Sequence, residues 1–241
     1  MAKDRNLNNG PVWRAIAQVS VPMSAGILGV LLVGISDAFF LARVGQTELT
    51  AIGFIYPVIV ALTSLSIGLS AGTNTVVSQS LGRGDDERDT ARLSLHAVGL
   101  ALLLTTGVSL SFYVASAYLF PLMGAKGEVM EAISAYVIFW CISFVPMATG
   151  MSVNAIFRAG GEGGVAATAM VTQSVLNIAL NPLFIFGVGP VPEMGIAGAG
   201  LATAIARGTI FVGVLAYARH RGMLRFDCAP LQDLRRSVRR I

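Results

Sequence analysis

Charge is what this chain has least of. Of its 241 residues, 12% are charged and 54% are hydrophobic. An ordinary soluble domain carries about 25% charged residues. So few charges cannot coat a soluble fold of this size, and a disordered chain would be richer in charge and poorer in apolar residues. Cysteine is almost as scarce. Cys141 lies in an apolar run and Cys228 in a basic tail, so a secreted disulfide scaffold is excluded and no pairing is expected. The two histidines, His96 and His220, lie far apart. No H-E-x-x-H, no Walker A string and no metal-spaced Cys/His cluster occurs.

What the chain has is long apolar runs. The mean hydropathy is +0.71. Charge-free stretches lie between Arg14 and Asp37, Glu48 and Arg83, Arg92 and Lys126, Glu131 and Arg158, and Glu162 and Glu193. A sixth stretch, from about Ile196 to Ala218, is interrupted only by Arg207. Each is long enough to cross a ~30 Å hydrocarbon layer as a helix. Strands of a closed barrel would alternate in period 2 over short segments, which these runs do not. The expectation is an all-α membrane protein of six spans. Its parts are a polar N-terminal tail (1–12), a six-helix lobe (13–219) and a basic tail (220–241). The first apolar run is too long for the core of a cleavable signal peptide.

The basic residues orient the spans. With the N-terminus inside, fourteen of the seventeen Lys and Arg residues fall on inside segments. Arg43 and Lys126 fall outside, and Arg207 lies within a span. That asymmetry predicts both termini in the cytoplasm. It also explains the net charge of +4 without a nucleic-acid partner, since no aromatic platform or reader motif accompanies the basic residues. The 27 glycines and other small residues suit close helix packing. Pro22, Pro57, Pro146 and Pro182 lie inside the runs, where they mark kinks or loosened backbone.

Asp37 is the sharpest single feature, an acid about four residues before the outer end of span 1. A carboxylate inside a membrane is costly and is a functional residue by default. It would take a proton or, among other oxygens, a cation; the alternative is an acid reaching the interface or pairing with Arg43. Span 5 sets Gln173, Asn177 and Asn181 at i, i+4 and i+8, on one helical face. These amides either bond helices together or line a polar cavity. Thr203, four residues after Ala199, adds a hydroxyl, and Na⁺ favours such an oxygen set. Arg207 lies one turn beyond Thr203. It either approaches Asp37, contacts an anionic group of the substrate, or reaches the inner leaflet. The string Gly68-Leu-Ser70-Ala-Gly72 matches G-x-S-x-G, but inside an apolar helical run it reads as a packing face, with no histidine beside it. No enzyme is expected, and transport would draw on an ion gradient with no bound cofactor.

Five strings then resemble one family. They are GISDAFFLARVGQTELTAIGFIYP (34–57), LSAGTNTVVSQSLGRGDDERDTAR (69–92), FRAGGEG (157–163), LNIALNPLFIFG (176–187) and GIAGAGLATAIARG (195–208). Their order and placement resemble the N-terminal half of a multidrug and toxic compound extrusion (MATE) transporter over roughly residues 12–218. The resemblance implies Na⁺- or H⁺-coupled antiport of organic, often cationic, drug-like compounds across the plasma membrane by alternating access. It implies a cation or proton site at Asp37, Asn177, Asn181, Ala199 and Thr203, with Na⁺ held by Asp37, Asn177, Asn181 and Thr203. Gln173 and Arg207 would line the cavity. With Asn at 181, Asp37 is the only acid of this residue set, which favours one monovalent cation or one proton. Arg207 is not a residue the family pattern implies. Family members carry two six-helix lobes and this chain carries one. The partner is then a second lobe in the same polypeptide, following a linker that begins in the basic tail, or a second copy in a homodimer. Two other readings stay open: a lipid-linked sugar flippase of a related fold, and a non-transporting half-lobe that acts as an assembly partner.

Overall fold

The computed structural model describes residues 12–187 and 191–224. The polar residues 1–11 and the tail from 225 onward, including Cys228, lie outside the described residues. All regular structure among the described residues is helical, in six elements. They are α1 (Val12–Val44), α2 (Gln46–Gly82), α3 (Glu87–Leu122), α4 (Glu128–Ala159), α5 (Gly163–Ile185) and α6 (Gly195–His220). All six are long and apolar enough to cross a membrane.

The bounds differ from the charge-free runs for local reasons. Charges do not end a helix that has left the hydrocarbon. The 37 residues of α2 extend about 55 Å at 1.5 Å per residue, well beyond the apolar layer. Helix α3 starts earlier than Arg92, with Glu87 and Asp89 in its first turn, where carboxylates favour the exposed N–H groups. Helix α5 is shorter than its run. It stops at Ile185, and Gly187 takes a φ of +68°, a left-handed conformation that glycine adopts without strain. Met194 then donates its N–H to the Phe184 carbonyl at 3.2 Å, closing the loop against the end of α5. The helices run on through Pro22, Pro57, Pro146 and Pro182.

Helix α4 is the centre of the bundle and packs on α2, α3 and α6, while α1 lies mainly against α5. Two buried clusters hold the ends. Near the α1–α2 loop, Phe112 and Phe120 of α3 meet Trp140 and Phe144 of α4, with Ile185 and Ile196 beside them. Near the α2–α3 loop the cluster is smaller in side chain: Val77, Val98, Val153, Ile156, Phe157 and Val214. Polar side chains tie helices together between them, as in Ser109 donating to the Cys141 carbonyl at 2.8 Å. Cys141 itself is a buried free thiol. The outward faces of α1 and α2 carry exposed Leu31, Leu32, Ile35, Phe39, Tyr56 and Leu65. Such faces suit an apolar solvent, because the helices satisfy their own backbone hydrogen bonds.

Small residues let α6 enter the bundle. A Cβ on Gly198 would lie 2.2 Å from the Phe184 carbonyl oxygen, and one on Gly200 would lie 2.9 Å from Cβ of Phe139. Glycine at these two positions brings α6 against α5 on one side and α4 on the other. That approach positions Thr203 and Arg207, one and two turns further along.

Candidate functional site

The polar residues of α1, α5 and α6 meet at one place and form a directed chain of hydrogen bonds. The Thr203 hydroxyl donates to the Ala199 carbonyl at 2.9 Å. It accepts from Nδ2 of Asn177 at 3.0 Å. The Asn177 oxygen accepts a long bond, 3.4 Å, from Nδ2 of Asn181. That same Nδ2 donates to Oδ1 of Asp37 at 2.5 Å, a short, charge-assisted contact. Asn177, Asn181 and Thr203 are buried, whereas Asp37 is half-buried at the end of the chain. The oxygen of Asn181 is buried with no partner.

Local sequence explains this convergence. Asn177 and Asn181 are one turn apart on α5, and Ala199 and Thr203 one turn apart on α6, so each pair shares a face. Pro182 follows Asn181 and has no N–H to give to the carbonyl one turn earlier, which loosens the backbone beside the amide. Asp37 reaches the group because α1 packs along α5.

Several expectations need adjusting. Helix α1 continues to Val44, so Asp37 lies two turns from its end and not one. Arg43 does not pair with Asp37; its guanidinium sits 4.4 Å from the centre of the Phe39 ring. Gln173 shares the face of Asn177 but joins no bond of the chain, and it is half-buried. Ala199 contributes its backbone carbonyl, and its own side chain is buried in the cluster around Trp140.

Arg207 stays within the lobe. Its Nη1 donates to the Ser143 hydroxyl at 3.0 Å, and Ser143 in turn donates to the Trp140 carbonyl at 2.9 Å. No ion pair among the described residues joins Arg207 to Asp37. Tyr136, buried on the same helix as Ser143, lies against Gly200 of α6. Ser143 holds Arg207, and Tyr136 lines the crossing of α4 and α6 at Gly200; neither was legible as such. Their signal was faint: two polar side chains at i, i+7 on α4, with Trp140 between them, among many apolar neighbours.

A second polar contact lies on the other side of α4. Ser70 donates to the Met151 carbonyl at 2.9 Å, and Arg158 donates to the Ser70 hydroxyl at 3.0 Å. Ser70 is therefore a clamp between α2 and α4, in keeping with the packing reading of its G-x-S-x-G string.

The MatE family model matches residues 22–183. This chain belongs to the MatE family. The matched segment includes Asp37, Asn177 and Asn181, and thus most of the hydrogen-bonded chain. Among curated relatives, the MatE lobe is 32% identical to an FAD transporter of Shewanella oneidensis, over 83% of this chain and 44% of the relative. It is 29% identical to the multidrug export protein MepA of Staphylococcus aureus, over 85% of this chain and 45% of that protein. Its helices superpose on the Vibrio cholerae MATE transporter VcmN in the bent form with a TM-score of 0.85 and 28% identity, covering 93% of this chain and 50% of that one. The chain spans about half the length of the relatives it matches.

Proposed function

We propose that this chain is one lobe of an ion-coupled efflux antiporter for organic, often cationic, drug-like compounds. The observation that carries the reading is the hydrogen-bonded chain ending on Asp37. It supplies one carboxylate, two amides, a hydroxyl and a backbone carbonyl on three different helices. The unpartnered Asn181 oxygen suits a cation: turning that amide by half a turn would set its oxygen beside Asp37. Asp37, Asn177, Asn181 and Thr203 would then hold Na⁺, while a proton would need only Asp37. Either charge removes the anion that Asn181 now serves. The contacts among α1, α5 and α6 would rearrange, and a cationic cargo would lose its counter-charge. Loss of the ion resets the lobe, and ion and cargo alternate as exchange requires.

A cleft between lobes needs a second wall. It would come from another six-helix lobe in the same polypeptide or from a second copy of the chain, in the plasma membrane with both termini cytoplasmic. The MepA relative supports a drug-like cargo. The FAD transporter relative favours a second reading, in which the cargo includes a flavin nucleotide.

The test is ethidium efflux from membrane vesicles driven by an imposed Na⁺ or pH gradient. Asp37→Asn should abolish gradient-driven efflux while membrane insertion stays normal. Gradient-driven efflux by that variant at the wild-type rate would remove the assignment.

A further inference from the structure

Arg207 has no role in the mechanism above. A guanidinium carries five N–H donors, and a single one of them is taken, by Ser143. The side chain is half-buried, and among the described residues no ion pair joins it to Asp37 or to any other acid. Ser143 is fully buried and anchored to the Trp140 carbonyl, and Trp140 stacks on Phe144 with ring centres 5.0 Å apart. The guanidinium is thus held from one side by a rigid wall, with most of its donors unspent. In the interior of a bundle this is a costly arrangement unless a partner arrives. A cation has no use for it, and a neutral drug uses little of it. A planar fork of N–H groups fits carboxylate or phosphate oxygens two at a time.

We infer that Arg207, oriented by Ser143, binds the oxyanion of a phosphate- or carboxylate-bearing cargo inside the same lobe as Asp37. The inference goes beyond the efflux reading and depends on it only for the existence of a cargo cavity. It has a consequence for coupling. With Asp37 ionised, an anion added at Arg207 meets the field of that carboxylate. With a proton or cation at Asp37, that field is cancelled and the anion is welcome. A cationic cargo competes with the ion at Asp37, as exchange requires. An oxyanion cargo binds alongside the ion and would be carried with it. By linkage, each then tightens the binding of the other.

FMN and riboflavin differ by one phosphate and both fluoresce, so they serve as the probe pair. Binding of each to the full chain in nanodiscs would be measured by fluorescence quenching. Wild type should bind FMN about tenfold more tightly than riboflavin, the effect of one charged hydrogen-bonded contact. Arg207→Gln should erase that preference and leave riboflavin affinity unchanged, while Arg207→Lys should keep part of it. Ser143→Ala, which leaves the charge and frees its direction, should weaken FMN selectively. Asp37→Asn should tighten FMN binding severalfold with no change for riboflavin. That last arm separates a binding role from a structural one, since a merely structural Arg207 would not respond to Asp37.

Two competitors distinguish the source of the oxyanion. Displacement of FMN by inorganic diphosphate in the buffer assigns a soluble cargo. Displacement only by geranyl diphosphate placed in the bilayer assigns a lipid-borne one. Equal wild-type affinity for the two flavins, an FMN preference that survives Arg207→Gln, or weaker FMN binding in Asp37→Asn would each overturn the inference. None of these results depends on gradient-driven ethidium efflux, so the two proposals can fail separately.

Discussion

The two ends of this bundle are held together by different chemistry. At the α1–α2 loop end, large rings do the packing: Phe112 meets Phe120 and Trp140 edge-on, and Trp140 stacks on Phe144. At the α2–α3 loop end the buried side chains are mostly aliphatic, and the loops are pinned by polar contacts. Ser80 bonds to Asp85 and Thr90, Arg92 pairs with Asp89 at 2.8 Å, and Arg221 bonds to Glu162 beside Tyr217. The difference teaches where precision is needed. Rings on α3 and α4 make a stiff wall, and both Ser143 and the entry of α6 are referenced to that wall. The opposite end faces charged loops, whose pairs are partly exposed and individually weak. The Asp37 chain adjoins the ring end, because Ala199, whose carbonyl takes the Thr203 hydroxyl, is buried in the same cluster as Trp140, and it reaches α1 where that helix packs mainly on α5.

Four substitutions would break or sharpen this contrast. The largest effect is expected at the aromatic end. Trp140→Ala removes a ring that is 1% exposed, and core truncations of this size cost about 3–5 kcal/mol. The loss should appear as a lowered unfolding midpoint in detergent; an unchanged midpoint would mean that the wall is not what holds this end. Gly198→Ala comes next. Its methyl would stand 2.2 Å from a backbone oxygen, so α6 must shift, at about 1–3 kcal/mol. Ion-dependent efflux should fall with it, because Thr203 moves away from Asn177, and normal ion dependence would separate the helix crossing from the site.

Asn177→Ala should cost about 1 kcal/mol, the net worth of an ordinary hydrogen bond. The ion concentration for half-maximal efflux should rise about fivefold, the equivalent of that energy. An unchanged value would leave Asn177 as helix glue alone. The smallest effect is expected at the polar end. Glu162→Gln removes the partner of an exposed Arg221, and the unfolding midpoint should stay where it is at physiological salt. A clear drop would make this contact a latch and bring the two ends closer in kind.

Much of this was legible in the sequence. Six apolar runs separated by charges are enough to count the helices, because a bilayer admits little else of that length. Asp37 stood out because a lone acid in such a run has no inexpensive explanation. Asn177, Asn181 and Thr203 followed from one-turn spacing on their own helices. The rest was hidden for a physical reason. Helical spacing says which residues share a face, but not which face meets which neighbour. Gln173 had the right spacing and joins no bond in the chain. Tyr136 and Ser143 had no distinctive spacing, yet Ser143 holds Arg207 and Tyr136 packs against Gly200 of α6. The position of Asp37 within α1 was misjudged because apolarity marks the hydrocarbon, whereas backbone hydrogen bonds mark the helix, and α1 runs on to Val44.

The sequence by itself determined the solvent, the number of helices and the rare charges inside them, since these depend on composition and on separation along one chain. Only the tertiary structure decided that Asp37 accepts from Asn181, that Arg43 leaves it alone and that Arg207 turns to Ser143. Those choices depend on how closely α6 approaches α4 and α5. That distance is set by two glycines acting together with the carbonyl and the side chain they admit, a relation between helices that no single helix contains.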